Sequence, residues 1–467
     1  MRMRDFLLPL LGACAVLSLT ACDDKEGIGT GGTGGAGTTT ETGGTGGTGA
    51  AGGTGGTGGS GAAGGTGGGE PAMVAEGYYF AVDAATNGWQ VTVVDPAKAA
   101  PVVATLAFDD LAALTGPNGN AKGPSWGDPV ASPDGARIFV NATNADRVAV
   151  IETATPSLET LLTVGKRPLH IYNPNHGDEI WSHADDEGAF YVIGVNTLTV
   201  SAPVVAAQKG TGHGKLVYGE KIGTQYYATN TNDPGGYAID GAAKTVAPMI
   251  ALCGAPCADD PGTPEDESMN TCGGTHDKVF NPGKSWVVFQ CSGATADHVA
   301  FVDTTTNTVV SDMVPMPVSA FAPTPDGAYI LVFDNKNDLV KVWDTAAPDH
   351  DGVTFDAEAT ITGAASGRGT DFRKNEAGEW EAWIPQSTGT KLVVMNLKSM
   401  EQTEIEIGTL SPPAGASSVT RRGGLAGDWF FTNNDAGAVM VNVTTKEVVQ
   451  GPAAGNVTRI LAVDKHH

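Results

Sequence analysis

"GDPVASPDGARIFVNATNADRVAVIETATPSLETLLTV", residues 127–164, and "SAFAPTPDGAYILVFDNKNDLVKVWDTAAPD", residues 319–349, are two versions of one pattern. Each has a short apolar strand, a Pro-Asp-Gly turn, a second strand, a turn rich in Asn and Asp, and a third strand ending in Glu/Asp-Thr. Pro133-Asp134-Gly135 and Pro325-Asp326-Gly327 are tight hairpin signals. Segments such as "RIFVNA" and "RVAVIET" have the β-branched and aromatic content of strands. No stretch of useful length carries a helical period.

Looser copies occupy the rest of the chain. They fall at 78–108, 127–164, 167–208, 212–252, 273–315, 319–362, 367–408 and 418–452, at a spacing of about 45 residues. The unit resembles the YVTN-type or WD40-like blade of a β-propeller, four strands in the order A-B-C-D. The resemblance implies an all-β, eight-bladed propeller. Seven blades is the alternative, if two of the weaker copies merge. The first copy lacks strand A, and the chain ends in a spare strand, "NVTRILAVD", 456–464. Pairing the two closes the ring and removes an exposed edge.

The propeller is expected over residues 70–467. Before it, "MRMRDFLLPLLGACAVLSLTAC" has a basic start and an apolar run from Phe6 to Leu19 too short to span a membrane, the grammar of a signal peptide. Leu19-Thr20-Ala21-Cys22 resembles a bacterial lipobox, which implies removal of residues 1–21 and lipidation of Cys22. Residues 22–69 are then a tether, almost all Gly, Thr and Ala from 27 onward, with an r.m.s. reach of roughly 35 Å. The expected location is the cell envelope, anchored to the inner or outer membrane and facing periplasm or cell surface. Asp23-Asp24 resembles an inner-membrane retention signal of enteric bacteria.

The formal charge of −25 and the lack of a basic patch argue against a nucleic-acid partner and mildly favour attraction of cations. Six cysteines occur. Cys14 lies in the signal and Cys22 is the lipid site, leaving Cys253, Cys257, Cys272 and Cys291. In an oxidising compartment these read as two disulfides, with three connectivities open. Cys272–Cys291 within blade 5 suits the expected geometry and leaves Cys253–Cys257. An acidic run, Asp259 to Glu267, lies in the same long connection and is a solvated loop, a lid over the channel mouth or a weak cation collector.

Nine histidines occur. The blade pattern places His170, His213 and His276 at the opening of strand A in blades 3, 4 and 5. His183 falls at the end of strand B in blade 3 and His298 at the B–C turn of blade 5. All five map to one face, around one sector of the channel mouth, while His176 maps to the other. Asp185, Asp186, Asp277 and Asp297 are the nearby carboxylates. Convergent neutral imidazoles beside carboxylates suit a divalent metal, zinc or copper. The expected site is His170, His213 and His276, with His183 as a fourth ligand or as an orienting group.

Export, blade count and histidine placement are similar to those of periplasmic eight-bladed propellers that act as zinc chaperones for import systems. That resemblance implies a monomeric metal-binding protein serving a metal transporter or another envelope protein. A metal-free scaffold for a protein or ligand is a second reading. A propeller enzyme, a lactonase or a metal- or quinone-dependent oxidoreductase, is a third, although no catalytic residues or motif are visible.

Overall fold

The computed structural model describes the chain from Val74 to Lys465 except for short connections, of which 113–123, 253–271 and 346–356 are the longest. The signal, the tether, His176, Cys253, Cys257, the acidic run and the terminal histidines lie outside the described residues. No helix among the described residues is long and apolar enough to cross a membrane.

Eight antiparallel sheets form eight blades. Blade 2 shows the plan, with strands Trp126–Ala131, Arg137–Ala142, Arg147–Glu152 and Ser157–Thr163 from the inside out. Its second strand is buried from Ile138 to Ala142, whereas the outer strand of blade 1, Val102–Ala107, is only partly covered. The contrast follows from stacking, because an inner strand is packed on both faces by neighbouring blades and an outer strand meets solvent. Blades 4 and 5 each carry a short extra strand, Ile250–Ala251 and Val314–Pro315, on the third strand.

Pro-Asp-Gly turns repeat down to their hydrogen bonds. The Gly135 amide donates to the Ser132 carbonyl (2.9 Å), and the Gly327 amide to the Thr324 carbonyl (2.8 Å). Both glycines have φ of +68°, where any other residue would be strained. Thr153 donates its hydroxyl to the Gly135 carbonyl (2.7 Å), and Thr345 does the same to Gly327 (2.5 Å). The threonine after each third strand therefore closes the turn of its own blade.

The ring closes as expected. Asn456–Lys465 is the innermost strand of blade 1 and pairs with Val74–Asp83 in the register Tyr78↔Leu461 and Phe80↔Arg459, with a bulge after Phe80. Eight apolar clusters fill the eight interfaces between consecutive blades. The cluster of Tyr79, Phe431, Met440 and Ile460 joins blade 8 to blade 1, so the core is continuous round the ring. Trp126 anchors the blade 1–2 interface, edge-on to Trp89 and Phe108, with its indole N–H donated to the Ala81 carbonyl (2.9 Å).

Cys272 and Cys291 form a disulfide, Cα–Cα 5.1 Å. It ties the connection entering blade 5 to that blade's second strand, Trp286–Ser292.

Candidate functional site at the channel mouth

His170 lies in the inner strand of blade 3, Pro168–Tyr172, opposite His183 of the second strand, Glu179–Ala184. A register shift between Pro168 and His170 sets this pairing. His213 stands in the connection before the inner strand of blade 4, Leu216–Val217. His276 is the second residue of the inner strand of blade 5, Thr275–Phe280. His170 and His183 are fully buried.

The ring contacts separate these histidines. His170 Nε2 faces His213 Nε2 at 3.1 Å, with the two planes inclined by 61°. His276 instead stacks on His213, centroids 5.3 Å apart and planes 20° apart. Lone pairs of stacked rings run side by side, so they do not meet at one point. His183 turns Nδ1 to Asp185 Oδ1 (2.9 Å), and its Nε2 is buried without a hydrogen-bond partner among the described residues. That Nε2 packs against Gly214, where an added Cβ would stand 2.6 Å away. The stacked pair therefore gives no support to His213 and His276 sharing one ion. Among the described residues, no three His, Cys, Asp or Glu side chains are arranged to hold a metal. The fit to a resident zinc or copper is limited to two aligned donors, where three or four protein ligands are usual.

Carboxylates fix the tautomers. Asp185 Oδ2 also accepts from His213 Nδ1 (2.9 Å) and from an Arg167 Nη (3.2 Å). Burial alone would raise the Asp185 carboxyl, but hydrogen bonds from His183 and His213 outweigh it and hold it well below the usual carboxylate range. An ionised carboxylate only accepts, so both imidazoles present Nδ1–H to it. His170 has the same arrangement: its Nδ1 lies 2.7 Å from Asp128 Oδ2, and Asp128 Oδ1 accepts from Arg459 Nε (2.9 Å). With each Nδ1 directed at a carboxylate, the Nε2 atoms of His170 and His213 face each other, a spacing that a single proton or another cation can share.

Asp185 was visible in the sequence as a nearby carboxylate. Asp186 instead pairs with Arg167 (3.1 Å) and is half-exposed. The side chains of Asp277 and Asp297 lie outside the described residues. Asp128 and Arg459 were not foreseen. His298 sits within the third strand of blade 5, Asp297–Asp303, paired with Cys291 rather than in a turn.

No protein-family model and no curated protein matches the sequence. Solved structures do share the fold. AztD from Citrobacter koseri aligns with a TM-score of 0.57 at 15% identity, over 84% of this chain and 98% of AztD. Apo AztD from the same organism gives 0.56 at the same identity and coverage. The dihydro-heme d1 dehydrogenase NirN in complex with DHE gives 0.54 at 12% identity, over 82% of this chain and 74% of NirN. At these identities the likeness is one of fold, and the chemistry must be argued from the residues at the mouth.

Proposed function

We propose that this chain is an extracytoplasmic binding protein: a monomeric propeller scaffold, lipid-anchored at Cys22 and held off the membrane by its tether, whose channel mouth accepts a positively charged group. The observation that carries the reading is the 3.1 Å approach of His170 Nε2 to His213 Nε2, with each Nδ1 turned to a carboxylate. An ammonium or guanidinium from a small ligand or a protein partner would donate to both nitrogens. The formal charge of −25 draws such a group in.

A second reading replaces that group by one divalent metal ion. Two imidazole nitrogens on a tetrahedral zinc lie about 3.3 Å apart, given Zn–N bonds of roughly 2.0–2.1 Å, and the Asp128 and Asp185 contacts are those that orient metal-bound histidines. His170 and His213 would hold the ion, which would leave its remaining positions to water or to a ligand.

Elemental analysis of untagged protein, followed by calorimetric titration with Zn²⁺, Cu²⁺ and a primary amine, tests the two together. Amine binding that is lost in His170→Ala/His213→Ala supports the first reading. Stoichiometric metal lost in the same variant favours the second. Folded protein that takes up neither overturns both.

A further inference from the structure

On the face opposite the histidines, a cleft of about 570 Å³ opens between blades 3 and 4. Its volume falls in the roughly 300–1,000 Å³ range of small-molecule sites. Blade 3 contributes the start of its second strand and the turn after its third, and blade 4 contributes the equivalent two regions. The cleft shares no residue with the mouth network.

The walls are rich in hydroxyl groups. Thr197, Thr199 and Ser201 line one side, and Thr224 and Tyr226 the other. Thr197 and Thr199 already hydrogen-bond to each other at 2.7 Å, and both are exposed. Lys244 Nζ spans the two blades to Glu179 Oε1 (2.8 Å), so one carboxylate of the lining is paired with its ammonium. Burial and then the nearby Glu179 push the Tyr226 phenol up to about 12, so it stays a neutral hydroxyl.

The frame is close-packed. Tyr226 stands edge-on to Trp181, centroids 5.3 Å apart. A Cβ on Gly241 would run into the Tyr226 ring, and one on Gly194 into the Thr197 hydroxyl. The backbone therefore lies directly against the side chains that shape the cleft, and the walls are formed before any ligand arrives.

We propose that this cleft is a second binding site, for a neutral polyhydroxylated ligand of the size of a mono- or disaccharide. Hydroxyls that donate and accept in turn, with carboxylates as acceptors and an ammonium as donor, match a ring of sugar hydroxyls. Two carboxylates against one ammonium disfavour an anion, and hydroxyls on both walls disfavour a wholly apolar guest. The compensating Lys244 disfavours a polycation.

Saturation-transfer NMR on the mature full-length protein, with glucose, galactose, N-acetylglucosamine, maltose and cellobiose as probes, tests the proposal. At least one should bind with a millimolar or tighter Kd. Thr197→Val/Thr199→Val should weaken it at least fivefold, Thr197→Ser/Thr199→Ser should restore most of it, and Lys244→Gln should also weaken it. His213→Ala should leave it unchanged, which separates this site from the mouth. The proposal is overturned if none of the five sugars binds, if the valine variant binds as well as the parent, or if putrescine binds in preference to every sugar.

Discussion

Asp185 Oδ2 accepts the Nδ1–H of His213 at 2.9 Å, from a carboxylate that is almost wholly buried. The same side chain serves His183 and Arg167, so one residue orients two imidazoles and neutralises a guanidinium. Asparagine keeps one acceptor oxygen but turns an NH2 towards a ring N–H, so one of the two imidazoles loses its acceptor, while Arg167 keeps Asp186. Asp185→Asn should therefore destabilise the fold by about 1–3 kcal/mol, the cost of an unsatisfied buried donor. Asp186→Asn, one residue further on and half-exposed, should cost no more than about 1 kcal/mol. Urea denaturation of the two variants makes the comparison, and equal costs would show that Asp185 does not organise the mouth.

Ring closure rests on the terminal strand. Leu461 and Val463 are buried in the blade 1–2 interface, and Ile460 in the blade 8–1 interface. Leu461→Ala should cost about 2–5 kcal/mol. Deleting 456–465 should abolish the cooperative melt, because it opens two strand edges and uncovers two interfaces at once. An unchanged melting temperature for the truncated chain would refute this account of closure.

The paired turns predict paired costs. Thr153→Val and Thr345→Val each remove one hydroxyl donor to a glycine carbonyl in equivalent places. Each should lose about 1 kcal/mol. The double variant should lose their sum within about 0.5 kcal/mol, since the blades are not neighbours. Denaturation curves for the three variants test both claims.

The Cys272–Cys291 bridge closes a loop of sequence separation 19. Replacing both cysteines by serine should cost about 2–4 kcal/mol, chiefly through the unfolded chain. A non-reducing peptide map checks the pairing, and thermal melts of parent and variant check the cost.

The architecture was legible because each blade carries its own local signals. Glycine at φ +68°, proline before it and threonine after the third strand are short-range requirements, and all appear in the sequence around Asp134 and Asp326. The closing strand was legible because a missing strand at one end met a spare one at the other. The mouth was legible only in part. Alternation along a strand says which face His170 occupies, but not how the ring of His276 rotates, and rotation decides between stacking and convergence. Asp128 belongs to blade 2 and Arg459 to the terminal strand, so they reach His170 only through the packing of different blades. Local periodicity carries no trace of that meeting.

Asp371 supplies the pH dependence. It occupies the inner strand of blade 7, where its oxygens accept from the amides of Phe372 and Leu425, both at 2.8 Å. Burial raises its carboxyl to about 6, and those two amides only partly offset the effect. The folded state therefore binds this proton more tightly than the unfolded chain does. Its contribution is fully present below the unfolded value near 3.8 and is lost as pH rises through about 6. The loss by neutral pH is about 1–3 kcal/mol. Asp371→Asn imitates the protonated form and should escape it. The melting temperature of the variant, relative to the parent, should thus be higher at pH 7.5 than at pH 4.5. Carboxyl ¹³C shifts of the parent should place the Asp371 midpoint near 6. A Tm difference that does not change between the two pH values would remove Asp371 as the source.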